Sequence, residues 1–466
     1  MIRHILGKSI FNRIEFWVVL FFLVRLIGIT NPPLESGHNW RQVTGLMVAQ
    51  NFFENPSIFY PSVHETQGES GIIGMEFPSL NYLHFMVSKL FGYDHWYGRL
   101  LNLIVSSIGV LFFYKIIRLF FNHKHALASS IILLGSIWFT FSRKMMPDTY
   151  CISLMFIGVF YGISYLEKAR ISHLIFFIFF TSLAVLSKIP AVIYFVLFIP
   201  LWWKTKELKV KGFFAIASLI PMLLMSYWYF FWNPYLETTY GNWYNIGQTL
   251  FEGAAEIKGN LILVFKRFYF DAFSSYFFFL LFLLGLGFAF YHKNRKVLVP
   301  FSLVFLLFVG YIFKSGYFFF HHSYYIIPFV PVMAFLAGYA VSIVRKKSVF
   351  ILLLVLGLGE SIANQQHDFF IKETEKYKMT LEAIADEVSA KDDLIAISGE
   401  GNPQELYFAN RKGWVYYEAE IINEAYLNEL KDKGCAFVFV NQLKNPIQLD
   451  EKKVFENEFY KVYALK

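Results

Sequence analysis

Long apolar runs separated by short basic turns make up most of this chain. A helix needs about 20 predominantly apolar residues to cross a bilayer, and runs of this kind recur up to residue 364. The pattern predicts spans at roughly 15–30, 99–119, 125–142, 149–166, 171–187, 190–203, 212–232, 273–291, 297–313, 326–344 and 348–364, about eleven in all. Two stretches depart from it. One is the long polar segment 31–98 between the first two spans. The other is the tail, 368–466, where TEKYKMTLEAIADEVSA and AEIINEAYLNELKDKG carry a helical period. DDLIAISGEG and CAFVFVNQ in the same tail read as short buried strands bounded by turn residues. The predicted architecture is a polytopic α-helical membrane protein of about eleven transmembrane helices, residues 1–367, with a small C-terminal α/β domain, residues 368–466.

Composition sharpens this picture. Of 466 residues, 56% are of hydrophobic type and only 16% are charged, where a soluble domain carries roughly 25% charged residues. The net charge of +8 does not point to nucleic acid, because the basic residues sit in the turns. Lys115, Arg118 and Lys124 fall in one turn, Lys168 and Arg170 in the next, then Lys204, Lys206, Lys209 and Lys211, then Lys293, Arg295 and Lys296, then Arg345, Lys346 and Lys347. With Arg3, Lys8 and Arg13, these define the cytoplasmic side by the positive-inside rule. The polar segment 31–98, the SRKMMPD turn, the 233–270 loop, the KSGYFFFHHSY turn and the tail then lie outside. The two cysteines, Cys151 and Cys435, exclude a disulfide framework and a thiolate metal motif. The N-terminus is basic and then apolar, without a small-residue cleavage site before Asn31-Pro32-Pro33, and reads as a retained first helix.

Candidate chemistry gathers on the outer side. Charges at mid-span depth are nearly absent, whereas an ion-driven transporter places ionisable groups near the bilayer midplane. Arg25, near the outer end of the first span, either snorkels to the interface or faces the polar loop or a phosphate. Glu35, His38 and Arg41 follow at three-residue spacing in LESGHNWRQ, which could set them on one face of a short helix. An acid and a His can take a proton from a hydroxyl, and an Arg can hold phosphate through two hydrogen bonds. Solvated charges on an interfacial helix are the plainer account. Glu76 sits in GMEFPSLNYL, before Pro78. Asp148 follows Pro147 at the start of a span, where it can also simply cap helix amides. Arg143, Lys188 and His322 occupy outer ends of spans, either as interface anchors or as contacts to a phosphate or sugar. His321 and His322 lack the spacing of a zinc site. In the tail, SGEGNPQELYFANRKGW reads first as a turn followed by packing aromatics.

The order of these pieces resembles a known family. PPLExxHxWRQ, then MEFP, then FGxxxWxGRLLN opening the second span, SRxxMPD, and HHxYYxxPxxP near the tenth span are similar to the bacterial branch of the GT-C membrane glycosyltransferases. That branch includes proteins similar to protein O-mannosyltransferases and to the aminoarabinose transferase of lipid A. The resemblance covers roughly residues 10–365, and LYFANRKGW also looks like a soluble domain of one subgroup. It implies an inverting transferase at the outer face of a bacterial cytoplasmic membrane. The donor would be a polyprenyl-phosphate-linked sugar and the acceptor an envelope glycan, lipid or protein. It also implies an acidic base in the first outer loop. The family's Asp-Glu pair is absent here, so Glu35, Glu76 and Asp148 all stand as candidates, with His38 beside them. Glu76 matches the acid of a Glu-Lys-Pro-Pro motif in which Phe77 replaces the Lys, which leaves the donor phosphate to Arg41, Arg143, Lys188 or His322. The family has members with and without a divalent metal, and no closed ligand set marks one here; no cofactor is assigned. The rival readings are an oligosaccharide ligase or polymerase on a pyrophosphate carrier, a lipid-linked sugar transporter or flippase, and a catalytically dead scaffold.

Overall fold

The computed structural model describes residues 10–241, 247–399, 401–444 and 446–465. Arg3 and Lys8, part of the 233–270 loop, and Glu400 of the SGEGNPQELYFANRKGW stretch therefore lie outside the described residues. The chain divides into two compact units. The first comprises Met1–Ile29, Arg99–Tyr229 and Asn245–Phe369, and the second Thr30–Gly98, Phe230–Tyr244 and Phe370–Lys466. The polar segment 31–98 and the tail thus share a unit.

The first unit is helical. Among the described residues, five helices are long and apolar enough to cross a membrane, beginning at Tyr97, Pro147, Leu208, Arg295 and Lys347. Leu261–Asp271 and Tyr276–Tyr291, bent by 94° at their junction, add a sixth if they form one span. Ile171–Ser187, Ile189–Lys204 and Val330–Ile343 are shorter apolar helices. Several runs expected as single spans are broken. Residues 125–142 form His123–Gly135 and Trp138–Phe141, with Ser136 between them accepting the Trp138 N–H at 3.2 Å. Ile189–Leu197 is a 3-10 helix with Pro190 in its first turn. The loop expected over 233–270 contains helices Asn233–Tyr240, Leu250–Gly259 and Leu261–Lys266. Pro147–Lys168 is the central helix, with 83% of its apolar window buried against 22–44% for the other four. Small residues let its neighbours approach, as membrane helices require. A Cβ on Gly109 would fall 2.3 Å from the Cβ of Ser153.

The second unit is built on a five-stranded sheet. β1 (Leu394–Ser398) and β3 (Cys435–Asn441) are the strands expected from sequence; β2 (Gly413–Tyr416), β4 (Lys452–Glu456) and β5 (Tyr460–Ala464) complete it in the order β2-β1-β3-β5-β4. β1 pairs in parallel with β2 and β3, while β5 pairs antiparallel with β3 and β4. Its core includes Ala396, Trp414, Leu430, Val438 and Tyr463. The stretch expected as one amphipathic helix over 374–390 is a 3-10 helix, Glu373–Thr380, followed by α-helix Leu381–Val388.

The polar segment joins this sheet through main-chain hydrogen bonds at Gly413. Its carbonyl accepts the N–H groups of Thr66 and Gln67, both at 3.0 Å, and its own N–H donates to the His64 carbonyl at 3.0 Å. Gly413 is required there, because a Cβ would lie 1.8 Å from the Ile395 carbonyl oxygen. Two further contacts reach the start of the segment. The Lys372 N–H donates to the Leu34 carbonyl at 2.9 Å, and the Gln404 amide donates to the Pro33 carbonyl at 2.9 Å.

Two predictions follow from this unit. Gly413→Ala forces β1 and β2 apart and costs about 1–3 kcal/mol. It is expected to lower the melting temperature and to expose residues 62–72 to limited proteolysis, and an unchanged melt and digest would refute the pinning role. The second concerns pH. Burial holds His64 and His84 down to about 4, opposed in part by hydrogen bonds to the Leu406 and Asp94 backbones. Unfolded imidazoles bind their proton near pH 6.5, so between pH 6.5 and 4 the unfolded state holds more protons and stability rises with pH. Lowering the pH through this window is expected to reduce the melting temperature, and His64→Gln together with His84→Gln should flatten the profile.

Candidate active site

In the second unit the expected residues fall around two helices, Asn39–Asn51 and Ser79–Phe91. The Asn81 amide donates to the Gly45 carbonyl at 2.7 Å and fixes one helix to the other. Arg41 lies in the first turn of Asn39–Asn51 and forms an ion pair with Glu76, just ahead of Ser79–Phe91. Both side chains are largely shielded, with 17% and 7% exposure. Asn233 supports Glu76 from the side: its amide donates to the carbonyl of the adjacent Met75 at 2.9 Å.

The single helical face expected for Glu35, His38 and Arg41 does not form. His38 takes a left-handed backbone, φ 59°, and the helix begins only at Asn39. Glu35 therefore precedes the helix, in the Pro33-Leu34 segment that Lys372 and Gln404 hold, and is fully buried. Its carbonyl accepts the Asn39 amide at 2.6 Å.

In the first unit Asp148 opens helix Pro147–Lys168, with Pro147 at the first helical position, and is 3% exposed. One of its oxygens pairs with the Lys188 ammonium; the other, Oδ2, is buried without a hydrogen-bond partner among the described residues. Lys188 sits at the end of helix Ile171–Ser187, and its Nζ lies 4.8 Å from the Tyr324 ring centre and 5.5 Å from that of Tyr325. His322 stacks on Tyr324 at 5.2 Å with a 16° interplanar angle. Asp148, Lys188 and His322 are therefore brought together, through Tyr324 of the HHxYY motif.

Arg143 is placed differently. Its guanidinium donates to the carbonyls of Arg25 at 3.1 Å, Ile27 at 2.8 Å and Asp368 at 3.0 Å, and lies 4.2 Å above the Phe369 ring. It braces three chain segments. Lys144 beside it pairs with Asp368 at 3.3 Å. Arg25 is fully buried and does not snorkel, its Nε on the Phe21 carbonyl at 2.9 Å and its Nη1 on Ser142 Oγ at 2.5 Å.

The turn that carries Arg143 and leads into Asp148 is held by Asn102, which sequence reasoning missed. Its buried amide reaches the carbonyls of Phe141, Lys144 and Met146 at 3.1, 2.8 and 3.1 Å, while its Oδ1 accepts from Ser106 and Thr149. The signal available was an amide within an apolar run, at the end of GRLLN. Among the described residues, no group of three or more His, Cys, Asp or Glu is placed to hold a metal ion. Chemically, both clusters offer a shielded carboxylate able to take a proton and a cation able to meet a phosphate.

The dolichyl-phosphate-mannose-protein mannosyltransferase family matches residues 77–230. A comparison with curated proteins finds no match. Among solved structures, the chain is similar to ArnT from Cupriavidus metallidurans in the apo state, with TM-score 0.60 and 12% identity over 97% of this chain and 98% of that one. The form of ArnT bound to undecaprenyl phosphate gives 0.57 and 11% over the same shares. The oligosaccharyltransferase AglB from Archaeoglobus fulgidus, in complex with an inhibitory peptide and a dolichol-phosphate, gives 0.55 and 12% over 93% of this chain and 70% of that one.

Asn102→Leu keeps the size of the side chain and removes its donors. The Phe141 and Lys144 carbonyls keep the N–H groups of Lys144 and Met146, so the change removes additional bonds in a buried turn, each worth about 0.5–1.5 kcal/mol. The variant is expected to melt well below wild type in detergent; an unchanged melting curve would show that the turn is held by other means.

Proposed function

We propose that this chain, which belongs by fold to the GT-C superfamily of membrane glycosyltransferases, moves a sugar from a polyprenyl-phosphate donor to a hydroxyl-bearing glycan, lipid or protein. The reaction takes place at the membrane face opposite the basic turns, in a bacterial cytoplasmic membrane, with inversion. The observation that carries this reading is the Asp148–Lys188 pair, a buried acid with one oxygen unpartnered beside a cation banked against two tyrosines. The ligands of the similar structures, undecaprenyl phosphate in ArnT and dolichol-phosphate in AglB, support a donor of this class.

The chemistry follows from the residue types. The acceptor oxygen bonds to the anomeric carbon as that carbon's bond to the phosphate oxygen breaks. The hydroxyl proton passes to a carboxylate, and polyprenyl phosphate departs as an anion. Such a leaving group needs positive charge more than it needs a proton, and the nucleophile needs a base. Lys188 meets the phosphate, with His322 behind Tyr324, and Asp148 is the first candidate for the base. Arg41 and Glu76 repeat the same combination in the second unit, with Glu35 and His38 preceding the helix that carries Arg41. Arg143 serves as a brace. The likeness to AglB favours one second reading, transfer of an oligosaccharide from a pyrophosphate carrier.

The test is transfer of a labelled sugar from polyprenyl phosphate in proteoliposomes. Asp148→Asn is expected to lose about 10²–10⁴ in rate, with Glu76→Gln and Glu35→Gln compared beside it. Breaking one partner of a buried pair also costs stability, so the double variant Asp148→Asn with Lys188→Gln serves as the control that removes both charges. It should regain stability and remain inactive. Lys188→Gln alone should raise the KM for the donor. Wild-type rates in all three acid variants would refute the site, and transfer only from pyrophosphate donors would establish the second reading.

A further inference from the structure

A cavity of about 550 Å³ lies within the first unit. Pockets that bury most of a small ligand run from roughly 300 to 1,000 Å³. Its walls are apolar, with Phe113, Phe156, Tyr194, Val304 and Phe335 among them. Three charged residues line it, Lys204, Arg295 and Lys296, and no acid does. Lys204 ends helix Phe198–Lys204, and Arg295 and Lys296 open helix Arg295–Ser315, whose first turn holds no acid. Among the described residues none of the three has an acidic partner.

The cavity is not at the Asp148 end of the unit. Phe156 and Ile163 line it from the central helix. At 1.5 Å per residue they lie roughly 12 and 22 Å beyond Asp148 along the helix axis. Helix Tyr97–Phe120 contributes its last turns, Ile116, Leu119 and Phe120, whereas Asn102 near its start meets the turn before Asp148. The three cations belong to the basic turns, on the side opposite the proposed transfer chemistry.

We propose that this cavity is a binding site for an anionic phospholipid of the leaflet that faces the basic turns. Its phosphate is met by Lys204, Arg295 and Lys296, and its hydrocarbon chain lies along the phenylalanine-rich wall. Charge complementarity selects the occupant. A neutral lipid would leave three cations around an apolar cavity unanswered, and a free anion would leave the apolar wall unfilled. The donor's own phosphate has its partner at Lys188, at the far end of the central helix. The site does not depend on the transfer reaction.

The test uses the full chain in neutral detergent, titrated with phosphatidylglycerol, phosphatidylcholine or polyprenyl phosphate. Bound lipid is read by native mass spectrometry and by the melting temperature. Phosphatidylglycerol is expected to bind and raise the melting temperature, with phosphatidylcholine at least about tenfold weaker, since each basic residue near an anionic lipid surface contributes appreciably. Two variants probe the two halves of the site. Lys204→Gln, Arg295→Gln and Lys296→Gln combined remove the charge at exposed positions. Val299→Trp fills the cavity from a residue that is 41% exposed and lines it, and leaves the charges in place. Both should weaken phosphatidylglycerol at least about tenfold while melting as wild type does without lipid. Equal binding of the two phospholipids overturns the proposal. So does a Val299→Trp variant that binds phosphatidylglycerol normally, which would mean adsorption to the basic turns. Preferential retention of polyprenyl phosphate, unaffected by the charge variant, also overturns it and makes the cavity part of the donor's groove.

Discussion

Hydrocarbon cannot solvate charge, so every cation buried in the helical unit must find its partners within the protein. This constraint accounts for much of the local architecture around the candidate site. Helix Ile14–Arg25 stops after twelve residues, and the carbonyls at its end need donors. Arg143 supplies them, taking the Arg25 and Ile27 carbonyls. A guanidinium at the negative end of a helix dipole is also favoured electrostatically. Arg25 turns back onto the Phe21 carbonyl and Ser142, and Lys144 pairs with Asp368. The SRKMMPD turn is thus tied to the end of the first helix, and Asn102 ties it to the start of Tyr97–Phe120. Asp148 takes its position from that double attachment.

The same constraint separates bracing cations from cations suited to a ligand. Arg143 donates to three main-chain carbonyls for which no other donor is seen among the described residues, so releasing it would leave those acceptors bare. Lys188 and Arg41 each answer a carboxylate instead. Isolated buried ion pairs are weak sources of stability, because desolvation consumes most of the attraction. In the proposed reaction such a pair can exchange: a phosphate takes the cation while the freed carboxylate takes a proton. Until then the paired charges hold the site neutral, and the same argument applies independently in each unit.

Much of this was legible in the chain. The basic turns and the scarcity of charge within the apolar runs can be read from sequence alone. So can β1 and β3, which are continuous apolar runs bounded by turn residues. What sequence left out depends on contacts distant in the chain. Glu35, His38 and Arg41 have helical spacing, yet His38 takes a left-handed backbone and the helix starts only after two of them. β4 is exposed and charged, and only its pairing with β5 makes it a strand. Asn102 and Asn233 act through main-chain carbonyls elsewhere, and nothing in their own neighbourhood announces which ones.

The most consequential of these distant contacts joins the tail to the polar segment. Pro32 and Pro33 have no N–H to offer and the Leu34 N–H is spent on the Pro32 carbonyl at 2.7 Å, so the tail fixes the segment before Glu35 through its carbonyls. Lys372 and Gln404, both from the tail, donate to two successive carbonyls there. Further on, Gly413 completes a three-bond main-chain clasp with residues 64–67. Between helices Asn39–Asn51 and Ser79–Phe91 the segment is irregular, and a free loop of that length would carry a large conformational entropy. Residues in it could not hold a reacting geometry unless something rigid fixed both its start and its middle. The tail does so, through backbone groups at Lys372 and Gly413 and through the Gln404 side chain. The tail is then a structural half of the segment that bears Glu35, Arg41 and Glu76. Its mixed sheet, with Glu405, Tyr377 and Asn441 hydrogen-bonded in the interior, supplies the rigidity that the segment's own sequence lacks.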